Sequence, residues 1–452
     1  MRDILFITDA IAPLGAGEDA VAAAGLTRAF VAAGHRTTVL SLCSPAIAED
    51  AAAYGMPGLA RRLSGVEAQI GGRAVELALY EGRAAAVTDA RILMVAAESH
   101  GRGHITAVLG STVESLAKSG AVNPDVTIGW GETSAAALSG TAAAVRLFVL
   151  PAGRLGPLLA EDEAAALGTI SYGDDSAGRS LAALGASSAN AIVAPSPSAA
   201  RSLEADPGLA SRAADEPLLA VRLGSDEASN DPATDPALPA HYSLDSLSGK
   251  VECRRALARR ASLALGPRTL LLATAPLDRA SSVANLLAVL PRLSTFDVVV
   301  VIPAHGDRDA LDRVRVMAIE HPGRIALVGD EEPTSRRQLL AAADAVLLCD
   351  EDDRTGRAAG SALRAGTLPI APGVGATGDY LVDYDPSSGT GSAFLYAGTT
   401  PFEMESAIRR AITLRADADA WPVLTKALMT NAPTWAATAA RIDSLFYTTD
   451  PA

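Results

Sequence analysis

Short, uninterrupted apolar runs that alternate with helix-spaced segments limit this chain most. ILFITDA at residues 4–10 has the character of a strand buried on both faces, and a glycine-containing loop follows it. The Ala-rich stretch AVAAAGLTRAFVAAGH then carries helical spacing and leads into TTVLSL, a second strand. Strand, loop, helix, strand is the opening βαβ unit of a doubly wound parallel sheet. PDVTIGW (124–130), RLFVLPA (146–152) and NAIVAPS (190–196) extend the same sheet, each bounded by Pro, Gly or Asn. A second series begins near residue 266, with RTLLLATAP, DVVVVIPA, IALVGD and DAVLLCD as strands. SSVANLLAVLPRL and DALDRVRVMAIE between them are helices, and TWAATAARIDSLFY near the end is an amphipathic helix.

A length of 452 residues suits two such α/β domains rather than one core. The 49% hydrophobic content with only 4% aromatic residues means that Ala, Leu and Val fill the interior. A net charge of −14 disfavours nucleic acid and anionic membranes, which both select clustered Lys and Arg. The N-terminal apolar run is short and interrupted by Asp3 and Asp9, so it is not a signal peptide, and no stretch approaches a membrane span. Cys43, Cys253 and Cys349 follow no CxxC spacing and suit reduced thiols, so the expected location is the cytoplasm. Residues 223–265 are rich in Asp, Pro and Ser and read as a connector.

Two blocks carry a resemblance. DPATDPALPAHYSLDSLSGKVECRRAL (231–257) and VDYDPSSGTGSAF (382–394) resemble matching stretches of bacterial glycogen and starch synthases. The resemblance implies a GT-B fold, with two Rossmann-like doubly wound domains facing a cleft. It implies an acceptor-side domain at 1–222, the connector at 223–265 and a nucleotide-sugar-side domain at 266–432. A C-terminal helix at 433–452 then crosses back to the N-terminal domain. In that family a retaining enzyme transfers glucose from ADP-glucose to an α-1,4-glucan, so cations and N–H donors must face the leaving pyrophosphate.

The family's motifs for that task are altered here. The KxGGL loop corresponds to APLGAGEDAV (12–21), which is two residues shorter and has no Lys; Glu18 and Asp19 would repel a phosphate. Its Gly15 and Gly17 could still bring backbone amides close, although a GxG pair more often marks a tight turn. Pro151 stands at the His of the HN motif, and the HxxDWH cluster corresponds to TIGWGETSAA (127–136), without His or Asp. Trp130 there reads as packing. In the RLTxQKG loop, Pro276 replaces Arg and Ser281 replaces Lys, leaving Arg279 as the nearby cation. The EPCG loop corresponds to Asp353, Arg354, Thr355 and Gly356, and VGATGDY replaces TGGLADT with Gly375 and Asp379 kept. Asp353 keeps the carboxylate but retracts it by one methylene.

The candidates left for chemistry are thus Asp353 as a carboxylate and Arg279 as a phosphate cation. Amides at Gly15, Gly17, Gly356 and Gly375 are the candidates for nucleotide binding. Losing three cations and a His removes about 5–10 kcal/mol of transition-state stabilisation, even with poor additivity. The expectation is therefore a pseudo-glycosyltransferase that binds, assembles or regulates. The alternatives are an active transferase with altered donor or acceptor and a nucleotide-sugar sensor. Expected partners are further copies of the chain, an active glycogen synthase or another protein, or an α-glucan, with neither nucleic acid nor membrane among them. His100 and His104 lie four apart, but Gly101 and Gly103 argue against a helix that would align them on a metal. No P-loop, full dinucleotide fingerprint or GxSxG elbow occurs, and no cofactor or metal is expected.

Overall fold

The computed structural model describes all residues except 14, 16, 54–55, 57, 63–64, 84–89, 99, 169–179, 208, 210–217, 226, 228–229, 278–279, 330–332, 398–399 and 449–452. The side chains of 280–282, 333–334 and 448 also lie outside the description. The chain forms two compact units, 1–224 with 434–452, and 225–433.

The first unit is built on ten strands among the described residues. They are β1 (Asp3–Thr8), β2 (Arg36–Cys43), β3 (Ala60–Arg61), β4 (Val66–Ile70), β5 (Arg73–Gly82), β6 (Arg91–Ala96), β7 (Val126–Trp130), β8 (Val145–Val149), β9 (Ala191–Ala194) and β10 (Leu218–Ala220). Their order is β10-β9-β8-β7-β1-β2-β6-β5-β3, with β4 paired to β5. The strands from β10 to β6 run parallel, and β3, β4 and β5 form an antiparallel extension. Parallel strands such as β1 and β7 are almost wholly buried because helices cover both faces, whereas β4 alternates buried and exposed positions and β5 is exposed over its first four residues.

Helices α1 (Glu18–Ala32), α2 (Arg102–Lys118) and α3 (Glu161–Ala166) belong to this unit. A C-terminal helix, Trp435–Thr448, packs on α1 in the same unit. Its Trp435 is buried against a gap left by two glycines. A methyl group on Gly25, in mid-α1, would overlap the Trp435 indole, and one on Gly224 would meet the Trp435 backbone. Glycine in a helix interior costs about 1 kcal/mol relative to alanine, and the close approach of an indole is what it permits here.

The second unit has six parallel strands among the described residues. They are β11 (Leu270–Thr274), β12 (Val298–Pro303), β13 (Ile325–Val328), β14 (Ala345–Leu347), β15 (Leu368–Pro372) and β16 (Phe394–Tyr396), ordered β13-β12-β11-β14-β15-β16. This is the Rossmann order, with its reversal between β11 and β14. LLLAT and VVVVIP are buried at every position of their strands. Helices α4 (Ser248–Arg260), α5 (Ala280–Leu293), α6 (Pro333–Ala342), α7 (Arg357–Arg364), α8 (Gly375–Tyr380) and α9 (Pro401–Arg415) belong to this unit, and Trp435–Thr448 of the first unit is α10.

The segment read as a connector contributes to the core of this unit. Leu238, Tyr242, Cys253 and Leu257 are buried with its strands. Asp235 takes two hydrogen bonds from Arg337, at 2.8 and 3.3 Å. Lys250 on α4 is buried, and its ammonium donates to the carbonyls of Leu340 and Ala341 on α6, to Ala365 beyond α7, and to the Thr367 hydroxyl. A cation at two helix C-termini meets the negative ends of their dipoles. Burial nevertheless lowers its pKa to about 8, against the opposing pull of Asp344, so it is charged at neutral pH. Lys250→Met should lower the stability of the second unit by about 3 kcal/mol, because buried carbonyls lose their donor. Urea unfolding followed by circular dichroism reads this directly; an unchanged midpoint would show that the ammonium does not hold these helix ends.

Candidate functional site

In open α/β sheets ligands bind outside the carboxyl ends of the strands, where strand order reverses. The second unit places its reversal between β11 and β14. The loop after β11 runs through Ala275, Pro276 and Leu277, and the Leu277 amide donates to His305 at 3.1 Å. Arg279 lies outside the described residues.

The loop after β14 holds Asp353. Its Oδ1 accepts from the Thr355 amide at 2.9 Å, the Thr355 hydroxyl at 3.1 Å and the Gly356 amide at 3.0 Å. Gly356 is left-handed at φ 66° and begins α7. The Asp353 carbonyl accepts from the Ala376 amide at 2.8 Å, at the start of α8. A Cβ on Gly375 would stand 2.7 Å from that carbonyl, so glycine there permits the loop after β14 to sit on α8. Arg354 pairs with Asp352 at 3.0 Å. The structure thus brings Asp353, Gly356 and Gly375 together, and it ties them to one another.

The first unit has its own reversal between β1 and β7, and there the sequence reading missed the central group. Asp9 follows β1 and accepts a hydrogen bond from Thr133, beyond β7, at 3.1 Å. Burial raises the Asp9 pKa, with Asp19 adding to it and Thr133 opposing it. Gly15 donates its amide to Ile11 at 2.8 Å, and a Cβ there would crowd Ala10 at 2.7 Å, so it forms the tight turn. Gly17, at φ 100° with open space around it, is the N-cap of α1, whose first turn carries Glu18 and Asp19. Acidic residues there complement the helix dipole and set a negative potential.

Beside Asp9, Glu132 is held by the Gly156 amide at 2.7 Å and Arg102 at 3.1 Å. Burial still raises its pKa, outweighing both partners. A methyl group on Gly156 would overlap Glu132 and Arg102 together. Pro151 is buried just beyond β8, and Arg154 follows in solvent. Trp130 is buried at the end of β7, 5.8 Å from the Phe6 ring centre.

The helix expected not to align His100 with His104 does not include His100: α2 begins at Arg102, beyond it, and Gly103 lies inside α2. Gly101 serves as its N-cap at φ 100°, the Arg102 amide donates to Glu163 at 2.8 Å, and Gly103 lets the Glu163 backbone approach. The His100 and His104 rings lie 5.0 Å apart. Among the described residues no group of three or more His, Cys, Asp and Glu is placed to hold a metal ion. Nor is any described helix long and apolar enough to cross a membrane.

Signals for Asp9 and Glu132 were absent because more than a hundred residues separate the loops that meet, and only the β1–β7 pairing joins them. A buried carboxylate with a raised pKa weakens the fold at neutral pH. Between its unfolded and folded values the native state holds more protons, so stability falls as pH rises through that window. Asp9→Asn keeps an acceptor for Thr133 and should raise the melting temperature by about 2–4 °C at pH 7. The gain should close as pH drops towards the ordinary carboxylate value. Melting curves across pH 3.5–7 check this, and a pH-independent gain would remove the ionised carboxylate as the cause.

No family model matches the chain. It is 32% identical to the glycogen synthase of Anaeromyxobacter dehalogenans over 272 residues, 58% of this chain and 56% of that protein. It is 28% identical to the glycogen synthase of Halorhodospira halophila over 229 residues, 51% of this chain and 48% of that one. The chain spans about half the length of the curated relatives it matches. Among solved structures it is similar to the catalytic domain of starch synthase IV from Arabidopsis thaliana, bound to ADP and acarbose. That likeness has a TM-score of 0.83 at 16% identity and covers 100% of both chains. Sucrose-phosphate synthase from Thermosynechococcus elongatus follows at 0.60 and 14% identity, covering 99% of each. In sequence the chain is similar to glycogen synthases over about half its length, and its fold is of the GT-B type.

Proposed function

We propose that this chain has lost glucosyl transfer and acts in the cytoplasm by binding, either to an α-glucan or to a partner protein such as an active synthase. The observation that carries this reading is the engagement of Asp353, which stands where the synthases have the glutamate of EPCG. One of its oxygens already accepts from two backbone amides and a hydroxyl of its own loop. Turning that oxygen to a sugar would leave buried or half-buried donors without an acceptor, at about 1–3 kcal/mol each.

Two further features support it. Pro151 offers neither an acceptor side chain nor an N–H where the synthases have histidine. Asp9, Glu18 and Asp19 crowd negative charge around the first turn of α1, where a pyrophosphate would need the opposite sign. Cys43, Cys253 and Cys349 are not joined in disulfides, which suits a reducing compartment. The name glycogen synthase carried by the relatives favours a second reading, an active transferase whose donor or acceptor has changed.

The test is incorporation of labelled glucose from ADP-glucose into glycogen by the purified chain, alongside Asp353→Asn. No incorporation above a protein-free blank, with retention of the chain in glycogen-containing gels, is the expected result. Incorporation that Asp353→Asn abolishes would establish the transferase instead. Thermal stabilisation by ADP-glucose without turnover, and without glycogen retention, would replace glucan binding by nucleotide-sugar sensing.

A further inference from the structure

A groove in the second unit lies away from its strand-end loops. A cavity of about 500 Å³ lies on the exposed face of α9, against Pro386 and Phe394. That volume is within the range of small-molecule sites. Phe402, Ser406, Arg409 and Thr413 follow one another at spacings of four, three and four, and so line one face of the helix. Phe402 is 69% exposed, unusual for so large an apolar group with nothing covering it.

Beneath this face sits Glu405, only 4% exposed. A buried carboxylate needs cations, and it has two: Arg292 at 2.6 Å and Arg409 at 3.9 Å. Arg410 pairs with Asp383 at 2.8 Å while its guanidinium covers the Phe394 ring at 4.4 Å. Asp417 at the groove's end caps the following turn through the amides of Asp419 and Ala420. Three arginines therefore stand against Asp383, Glu405 and Asp417. The groove is apolar and aromatic over most of its lining, and its charges are balanced.

That balance selects the occupant. A phosphate or nucleotide needs unmatched cations, and each guanidinium here already faces a carboxylate. A purely apolar partner would leave the paired charges of the groove floor desolvated. An uncharged polyol meets both demands: the C–H face of a sugar ring lies on an aromatic ring, while its vicinal hydroxyls bridge planar carboxylate and guanidinium edges. We propose that this groove binds a segment of an α-glucan chain, with Phe402 as the stacking platform and Glu405 and Arg409 as the hydroxyl partners. The groove's chemistry specifies a neutral saccharide; its identity as an α-glucan rests on the functional reading above.

The experiment is calorimetric titration with maltoheptaose, together with mobility in glycogen-containing gels, for the full chain, Phe402→Ala and Ser406→Trp. Both positions are exposed, so melting temperatures should match the unaltered chain. The first variant removes the platform and the second fills the groove. Each should weaken maltoheptaose at least tenfold, and inorganic phosphate should not bind. Unaltered affinity in both variants would overturn this site while leaving glucan binding elsewhere intact. Absence of maltoheptaose and glycogen binding by the unaltered chain would overturn both the site and the glucan half of the functional reading. A concentration-dependent dimer in sedimentation, broken by Phe402→Ala, would reassign the groove to a second copy of the chain and overturn the proposal.

Discussion

The ammonium of Lys250 occupies a position where a cation would ordinarily be too costly to bury, and much of the second unit depends on how that cost is met. Two helices, α6 and α7, end beside it, and their last carbonyls have no partners within their own helices. Lys250 gathers Leu340, Ala341 and Ala365, while the Tyr242 hydroxyl adds a second donor to Ala365 at 2.8 Å. Arg254, one turn further along α4, reaches Asp344 at 3.1 Å, and Asp344 in turn accepts from the Leu271 amide of β11 at 2.8 Å. One helix thereby fixes both the helix ends and the start of the central strands. The strand ends opposite, where loops carry chemistry, are positioned by this arrangement without taking part in it.

The other block that resembles the synthases has the same character. Asp383 accepts from the Leu395 amide at 2.8 Å and from Arg410 at 2.8 Å, so it holds β16 to α9. Asp385 turns the loop back through Ser387 and Ser388, and Gly391, at φ 126°, lies against the Tyr384 backbone where any side chain would collide. These residues support the unit from within. Their resemblance to the synthases therefore reports on how the unit is built, and it carries little information about the loops after β11 and β14.

Physical reasons separate what was legible in the sequence from what was not. Fully buried parallel strands are continuous apolar runs, so β1, β2, β7 to β9 and β11 to β14 could be read directly. The antiparallel β4 and β5 mix exposed Glu and Arg with buried positions and were passed over. Pro369 and Pro372 disguised β15, since proline weakens a strand reading. At α2 the two glycines have separate tasks that their spacing does not reveal, Gly101 as the cap and Gly103 as a close contact inside the helix. The likeness at Asp353 was visible, but its engagement was not, because a carboxylate two residues before a threonine and three before a glycine can equally face a ligand or cap its own turn.

A fold's supports and its site answer to different constraints, and this chain shows the separation within one sheet. Removing Lys250 or Asp383 would release helix ends or an edge strand, so substitutions there act on folding as a whole. Replacing a strand-end Lys, His or Glu removes a ligand contact and leaves the core untouched, and loops tolerate such change. Identity of 32% over 58% of the chain is therefore compatible with a scaffold of synthase type whose strand-end loops have turned inward on themselves. The charged loop Asp350–Arg354 settles into its own turn, with Asp352 accepting from Arg354 and Asp353 from Gly356. In that turn the Oδ1 atom of Asp353 stabilises the start of α7.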